Sequence, residues 1–139
     1  MSILTKKIVN ELSYEIIGGA IEVHKHLGSG LLEKVYEKCL IHELRNRGLK
    51  VDSQKTIYVD YKGEKIDCEL RLDLLVEDTI VIELKAVDTM FPLFEAQLMS
   101  YMKLLKKPKG ILFNFHCTNI FKEGQKTFVN DLFKMLPDE

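Results

Sequence analysis

A chain of 139 residues, 46% hydrophobic and 29% charged, is long enough for one substantial core and too apolar to be disordered. Its net charge of -1 argues against a broad electrostatic hold on nucleic acid, so any such partner must be met through a local basic patch. Three widely spaced cysteines, Cys39, Cys68 and Cys117, argue against a disulfide framework or a zinc site, and no apolar run approaches the ~20 residues of a membrane span.

The first residues, Met1-Ser-Ile-Leu-Thr-Lys-Lys, lack the apolar core and cleavage site of a signal peptide, so a reduced cytoplasmic protein with no membrane partner is expected. A helix follows from about Ser2 to His26. Ile8, Leu12, Ile16, Gly19 and Val23 recur on it at three- and four-residue spacing and make one apolar stripe. Gly18 and Gly19 weaken it by roughly 1 kcal/mol each relative to alanine. Their expected use is close approach to a neighbouring helix or sheet. His24 and His26 sit where an imidazolium suits the helix dipole, which puts structural or solvated roles ahead of metal binding.

Gly28-Ser29-Gly30 breaks this helix, and a second runs from about Leu31 to Arg47, stopped by Gly48. Leu32, Val35, Tyr36, Cys39, Leu40 and Leu44 form its expected buried face. Glu33, in the first turn, reads either as an acid favoured at a helix N-terminus or as a side chain aimed at the strands beyond. Gly28-x-Gly30 follows a helix rather than a strand and is too short for a phosphate-binding loop.

Val51–Tyr61 and Glu64–Val76 then form a hairpin across Lys62-Gly63, and Thr79–Val87 extends it to a three-stranded antiparallel meander. With Glu77-Asp78-Thr79 as the second turn, Val76 faces Ile80, Leu74 faces Ile82, Leu72 faces Leu84 and Leu70 faces Ala86. The other face sets Asp73 opposite Glu83 and Arg71 opposite Lys85. A two-residue turn would mix the faces, which a sheet with a buried side does not tolerate. Opposed Cβ atoms lie roughly 5 Å apart, where two carboxylates repel unless something positive lies between them. Mg²⁺, with the Lys85 ammonium two residues on, meets that need. A solvated charged face, compensated by Arg71 and Lys85, is the alternative.

A helix from Pro92 to about Lys107 comes next, with Phe94, Leu98, Tyr101, Met102 and Leu105 inward. Gln97 and Tyr101, four apart, share one face. Ile111–Phe115 is continuously apolar, as a central strand should be. A short strand near Gln125–Val129 and a last helical turn ending at Pro137 complete the chain. Lys103, Lys106, Lys107 and Lys109 are either a local basic patch or a solvated helix end. No repeat or linker interrupts the chain, so a single domain over 1–139 is expected.

Asp73, Glu83 and Lys85, spaced Asp-x9-Glu-x-Lys on the second and third strands, resemble the PD-(D/E)XK nuclease superfamily, with Leu72 in the place of its Pro. Gln97-Leu-Met-Ser-Tyr101 resembles the Q-x-x-x-Y element of its helicase-associated exonuclease branch. Gly30-Leu-Leu-Glu33-Lys-Val-Tyr36 resembles the signature of the small bacterial GxxExxY proteins, and Leu112–Phe115 fits the apolar strand that follows the Gln helix in that group. The similarity spans roughly residues 8 to 130. Two departures stand out: Phe94 replaces a polar residue or His, and Glu123-Gly-Gln-Lys-Thr-Phe lacks the Arg often seen after that Gly.

The resemblance implies an α/β (α+β) fold with a restriction-endonuclease-like core, a mixed sheet whose antiparallel meander is flanked by helices. It also implies a divalent-metal-dependent nuclease acting on DNA, or on RNA. Mg²⁺ or Mn²⁺ would be held by Asp73 and Glu83, the backbone carbonyl of Leu84, and Glu33. Lys85 would orient or deprotonate the attacking water or neutralise the pentacovalent centre, and Gln97 and Tyr101 would position the substrate phosphate or support the metal shell. The alternative is a catalytically silent nucleic-acid-binding or protein-interaction module that keeps the fold. A homo-oligomer is left open.

Overall fold

Thr5 starts the first helix: its hydroxyl accepts the N–H of Ile8 at 3.1 Å, which satisfies one of the donors a helix start leaves free. The computed structural model describes residues 3–139, so Ser2, where the sequence pattern begins this helix, lies outside the described residues. The elements are α1 (Lys6–Leu27), α2 (Glu33–Asn46), β1 (Val51–Tyr61), β2 (Glu64–Val76), β3 (Ile80–Lys85), α3 (Pro92–Leu105), β4 (Lys109–Asn114), β5 (Gln125–Val129) and α4 (Asp131–Lys134).

The strands lie side by side in the order β1-β2-β3-β4-β5. Antiparallel pairing joins β1 to β2, β2 to β3 and β4 to β5, while β3 and β4 run parallel with α3 as their crossover. This is the mixed, helix-flanked α+β sheet of a restriction-endonuclease-like core. The hairpin turn falls on Lys62 and Gly63, both with positive φ (53° and 88°), the left-handed pair that matches strand twist.

The centre of the sheet is buried on both faces, while the Tyr58–Glu69 end of the first hairpin is largely exposed. On one, Val9, Ile16, Ala20 and Val23 of α1 and Tyr36, Leu40 and Leu44 of α2 pack on Leu74, Ile82, Leu84 and Phe113. On the other, Leu98 and Met102 of α3 pack on Ile57, Leu72, Leu75, Val81 and Leu112. That double cover is why every residue of β4 is buried, as its unbroken apolar run implied.

The helices turn differently from the sequence pattern in two places. On α1 the stripe that keeps Ile16 and Val23 inward passes through Val9 and Ser13, leaving Ile8 41% exposed. On α2 the buried face is Tyr36, Leu40 and Leu44, because Leu32 precedes the first turn and is 78% exposed, with Val35 also on the outside. Tyr36 explains the entry into α2. Its hydroxyl donates to the carbonyl of Gly28 at 2.6 Å and accepts the N–H of Leu31 at 3.1 Å. Its ring stacks on Phe115 with centroids 4.6 Å apart. The glycine-containing loop is thereby tied down so that Glu33 opens the helix.

At Gly19 α1 lies close against α2: a Cβ there would lie 2.7 Å from Leu44 Cδ2. Leu44 is fully buried, so it could yield only by shifting among its core neighbours. Gly19→Val should therefore lower the unfolding free energy by about 1–3 kcal/mol through overpacking. Urea denaturation reads this directly. A stability equal to wild type would show that the two helices can separate at no cost.

Candidate active site

The expected register holds for three rungs, Val76 with Ile80, Leu75 with Val81 and Leu74 with Ile82, and there the β2–β3 ladder stops. Beyond it β3 pairs only with β4, through Glu83–Leu112, Leu84–Phe113 and Lys85–Asn114. A side chain fills the gap between the diverging strands. Asp73 Oδ2 accepts the backbone N–H of Leu84 at 2.9 Å, standing in for the lost main-chain bond. Leu84, whose carbonyl is the expected ligand, also holds Asp73 through its N–H.

Leu74, Ile82 and Leu84 share the first core, as the register required, but Leu72 packs in the second. The cause is a reversal of the in–out alternation. Val51 and Ile57, six residues apart on β1, should share a face, yet they belong to opposite cores. The rung between Ser53–Leu74 and Lys55–Leu72 is missing, and it is the one that would pair Gln54 with Asp73. Gln54 there adopts φ 50°, in the left-handed region. Two-residue alternation holds only while the backbone stays extended. Leu72 was therefore assigned to the wrong face.

Around Asp73 the expected acidic and basic side chains gather. Glu83 is only 8% exposed. Burial, the contact with the Asp73 carboxyl and the Asp73 charge push it up to about 10, against the lowering effect of Lys85. Glu33 is also raised, first by burial and then by Asp73, again opposed by Lys85. The first-turn acid therefore belongs to the cluster rather than to a solvated helix start. Lys85 Nζ sits 4.4 Å from the centroid of the Phe94 ring. The departure at Phe94 thus supplies a π face for the ammonium in place of a polar neighbour. Tyr101, on α3, has its pKa raised by burial and then by the charges of Glu83 and Asp73. Gln97 is half-buried on α3 and makes no hydrogen bond to Asp73, Glu83 or Lys85 among the described residues.

Two members escaped the sequence reading. Gln54 Nε2 donates to Glu37 Oε1 at 2.9 Å and lies 3.5 Å from Asp73 Oδ1. Glu37 is raised by burial first and then by Asp73. The only available signal for Glu37 was its place one helical turn after Glu33. Nothing in the sequence singled out Gln54. Glu33, Lys34, Glu37, Gln54 and Asp73 line an open cleft of about 440 Å³.

Of the two readings of the lysines around the end of α3, the basic patch does not assemble. Lys109 is buried, donates to Asn10 Oδ1 at 3.2 Å and has its pKa lowered by desolvation. Lys107 is engaged with Asp78 at 3.0 Å. Lys103 and Lys106 are exposed.

The donors in the cluster are carboxylate oxygens, which suit a hard cation. No group of three or more His, Cys, Asp or Glu forms a metal cage among the described residues. A magnesium-type site needs only one or two carboxylates with water completing its shell. The buried Asp73–Glu83 contact, with Glu83 pushed towards its protonated form, is the arrangement a cation would relieve. The residues fit such an ion. No described helix is long and apolar enough to cross a membrane. A family model described as the PD-(D/E)XK nuclease superfamily matches residues 10–128. No curated protein and no solved structure matches the chain.

Proposed function

Because the chain belongs to the PD-(D/E)XK nuclease superfamily, we propose that it is a divalent-metal-dependent nuclease that hydrolyses phosphodiester bonds, of DNA before RNA. Within that superfamily we assign it to the GxxExxY group, on Gly30, Glu33 and Tyr36. The observation that carries the activity is the buried contact between Asp73 and Glu83 with Lys85 beside it. Burial and the Asp73 carboxyl make ionised Glu83 costly, and a bound cation would lift that cost.

Asp73 and Glu83 would hold Mg²⁺ or Mn²⁺, with Glu33 alongside. A divalent ion there would neutralise charge on the phosphoryl oxygens and acidify a bound water. The chain's own residues supply the rest. Leu84 N–H fixes one oxygen of Asp73. Glu83 releases the proton that burial makes it hold. The Phe94 ring keeps the Lys85 ammonium at the site, where it orients the attacking water or offsets charge developing at phosphorus. Tyr101, with Gln97 on the same helix face, offers a donor to the substrate phosphate.

The test is incubation with labelled single- and double-stranded DNA and RNA, with Mg²⁺, Mn²⁺ or EDTA. Cleavage of at least one form with metal, and of none with EDTA, is the expected result. Failure on all four forms, together with no metal-induced rise in thermal midpoint, would overturn the proposal. It would leave a silent binding or interaction module in its place.

A further inference from the structure

Gln54 combines three features at one residue. It is a non-glycine residue in the left-handed region of φ inside a strand. It stands where the β1–β2 ladder loses the rung opposite Asp73. Its side-chain amide reaches two carboxylates, Glu37 Oε1 at 2.9 Å and Asp73 Oδ1 at 3.5 Å. Left-handed backbone is costly for a side chain with a Cβ and persists only where its surroundings impose it. Glycine, or asparagine, would occupy such a position with less strain. Gln54 is itself exposed, so no buried contact of its own offsets the strain.

We propose that Gln54 is a positioning residue whose strained backbone aims its amide at the Asp73–Glu37 pair. That amide and the Leu84 N–H then each reach a different oxygen of Asp73. An extended residue at this place would restore the missing rung and turn its side chain away from the carboxylates. The amide supplies two N–H donors and no net charge, so it can sit between Glu37 and Asp73 without displacing a cation from the Asp73–Glu83 side. The value of this for the site rests on the nuclease reading. The positioning itself does not.

The experiment therefore has an arm that needs neither metal nor substrate. In the metal-free protein, amide hydrogen exchange at Leu84 reports how firmly Asp73 is held, and the thermal midpoint reports the fold. Gln54→Gly, which relaxes the backbone and deletes the amide, should speed exchange at Leu84 several-fold while Ile82 is unchanged and the midpoint is equal or higher. Gln54→Asn, which tolerates the same φ but falls one methylene short, should do the same if the glycine variant folds poorly. Mn²⁺ calorimetry is the second arm. Affinity should fall about tenfold or more in both variants, the usual effect of removing a group that orients a ligand. A purely structural role predicts that exchange at Leu84 and the midpoint move together, and that result would overturn the proposal. Unchanged Leu84 exchange would overturn it too. Absence of Mn²⁺ binding in the wild type counts against the nuclease reading alone, because the exchange arm still decides the role of Gln54.

Discussion

Lys85→Ala should keep the wild-type rise in thermal midpoint on adding Mg²⁺ or Mn²⁺ and lose at least about 10²-fold in cleavage, the lower end of what a positioned proton-transfer group contributes. The substitution removes the ammonium above Phe94 and leaves Asp73 and Glu83 in place. A ligand present at a hundred times its dissociation constant stabilises the folded state by about 2.7 kcal/mol, so the metal response is large enough to read. Asp73→Ala and Glu83→Gln should lose both the thermal response and cleavage, because each removes one of the two carboxylates that meet in the gap. A Lys85→Ala protein that cleaves at the wild-type rate would remove Lys85 from the chemistry. An Asp73→Ala protein with the wild-type metal response would place any cation elsewhere.

Stability should fall with rising pH in the metal-free protein. Glu83 is raised from 4.5 to about 10, so over that interval the folded state binds a proton that the unfolded chain has released. Such a group leaves stability intact below its unfolded pKa and erodes it as pH climbs towards the folded value. The slope is at most about 1.4 kcal/mol per pH unit. Glu33 and Glu37 are raised as well and add in the same direction. Urea melts at pH 6 and pH 9 should show the loss. Glu83→Gln, which carries no proton to release, should flatten most of it and be the more stable protein at pH 9. Saturating Mn²⁺ should oppose the loss in wild type but not in Glu83→Gln, since a metal ligand must be deprotonated to bind. A metal-free wild type that is equally stable or more stable at pH 9 would mean that Glu83 is already ionised in the fold.

Both expectations lean on a cluster that local pattern made only partly visible. The hairpin at Lys62-Gly63 and the three-residue turn before Ile80 were legible because turn chemistry and apolar alternation agree there. They set the register of Val76, Leu75 and Leu74 against Ile80, Val81 and Ile82, one residue short of Asp73 and Glu83. The central place of β4 was legible from its unbroken apolar run. Glu33 keeps two readings in the sequence, because a first-turn acid looks the same whether it faces solvent or a neighbouring strand.

The sequence by itself determined the order and kind of the elements, the register of β2 against β3, and which charged residues sit inside apolar strands. These follow from periodicity and turn preference, which act over a few residues. Only the tertiary structure decided where that register ends, which way Leu72 faces, and that Glu37 and Gln54 join the site. It also decided that Lys107 and Lys109 are engaged elsewhere. Each of these depends on residues distant in the chain. Where the strands part, Asp73 replaces the lost main-chain bond, the alternation reverses because one residue of β1 leaves the extended region, and Lys109 is withdrawn by packing against α1. A local pattern carries no record of such contacts, since their free energy arises between segments that meet only when the sheet is complete.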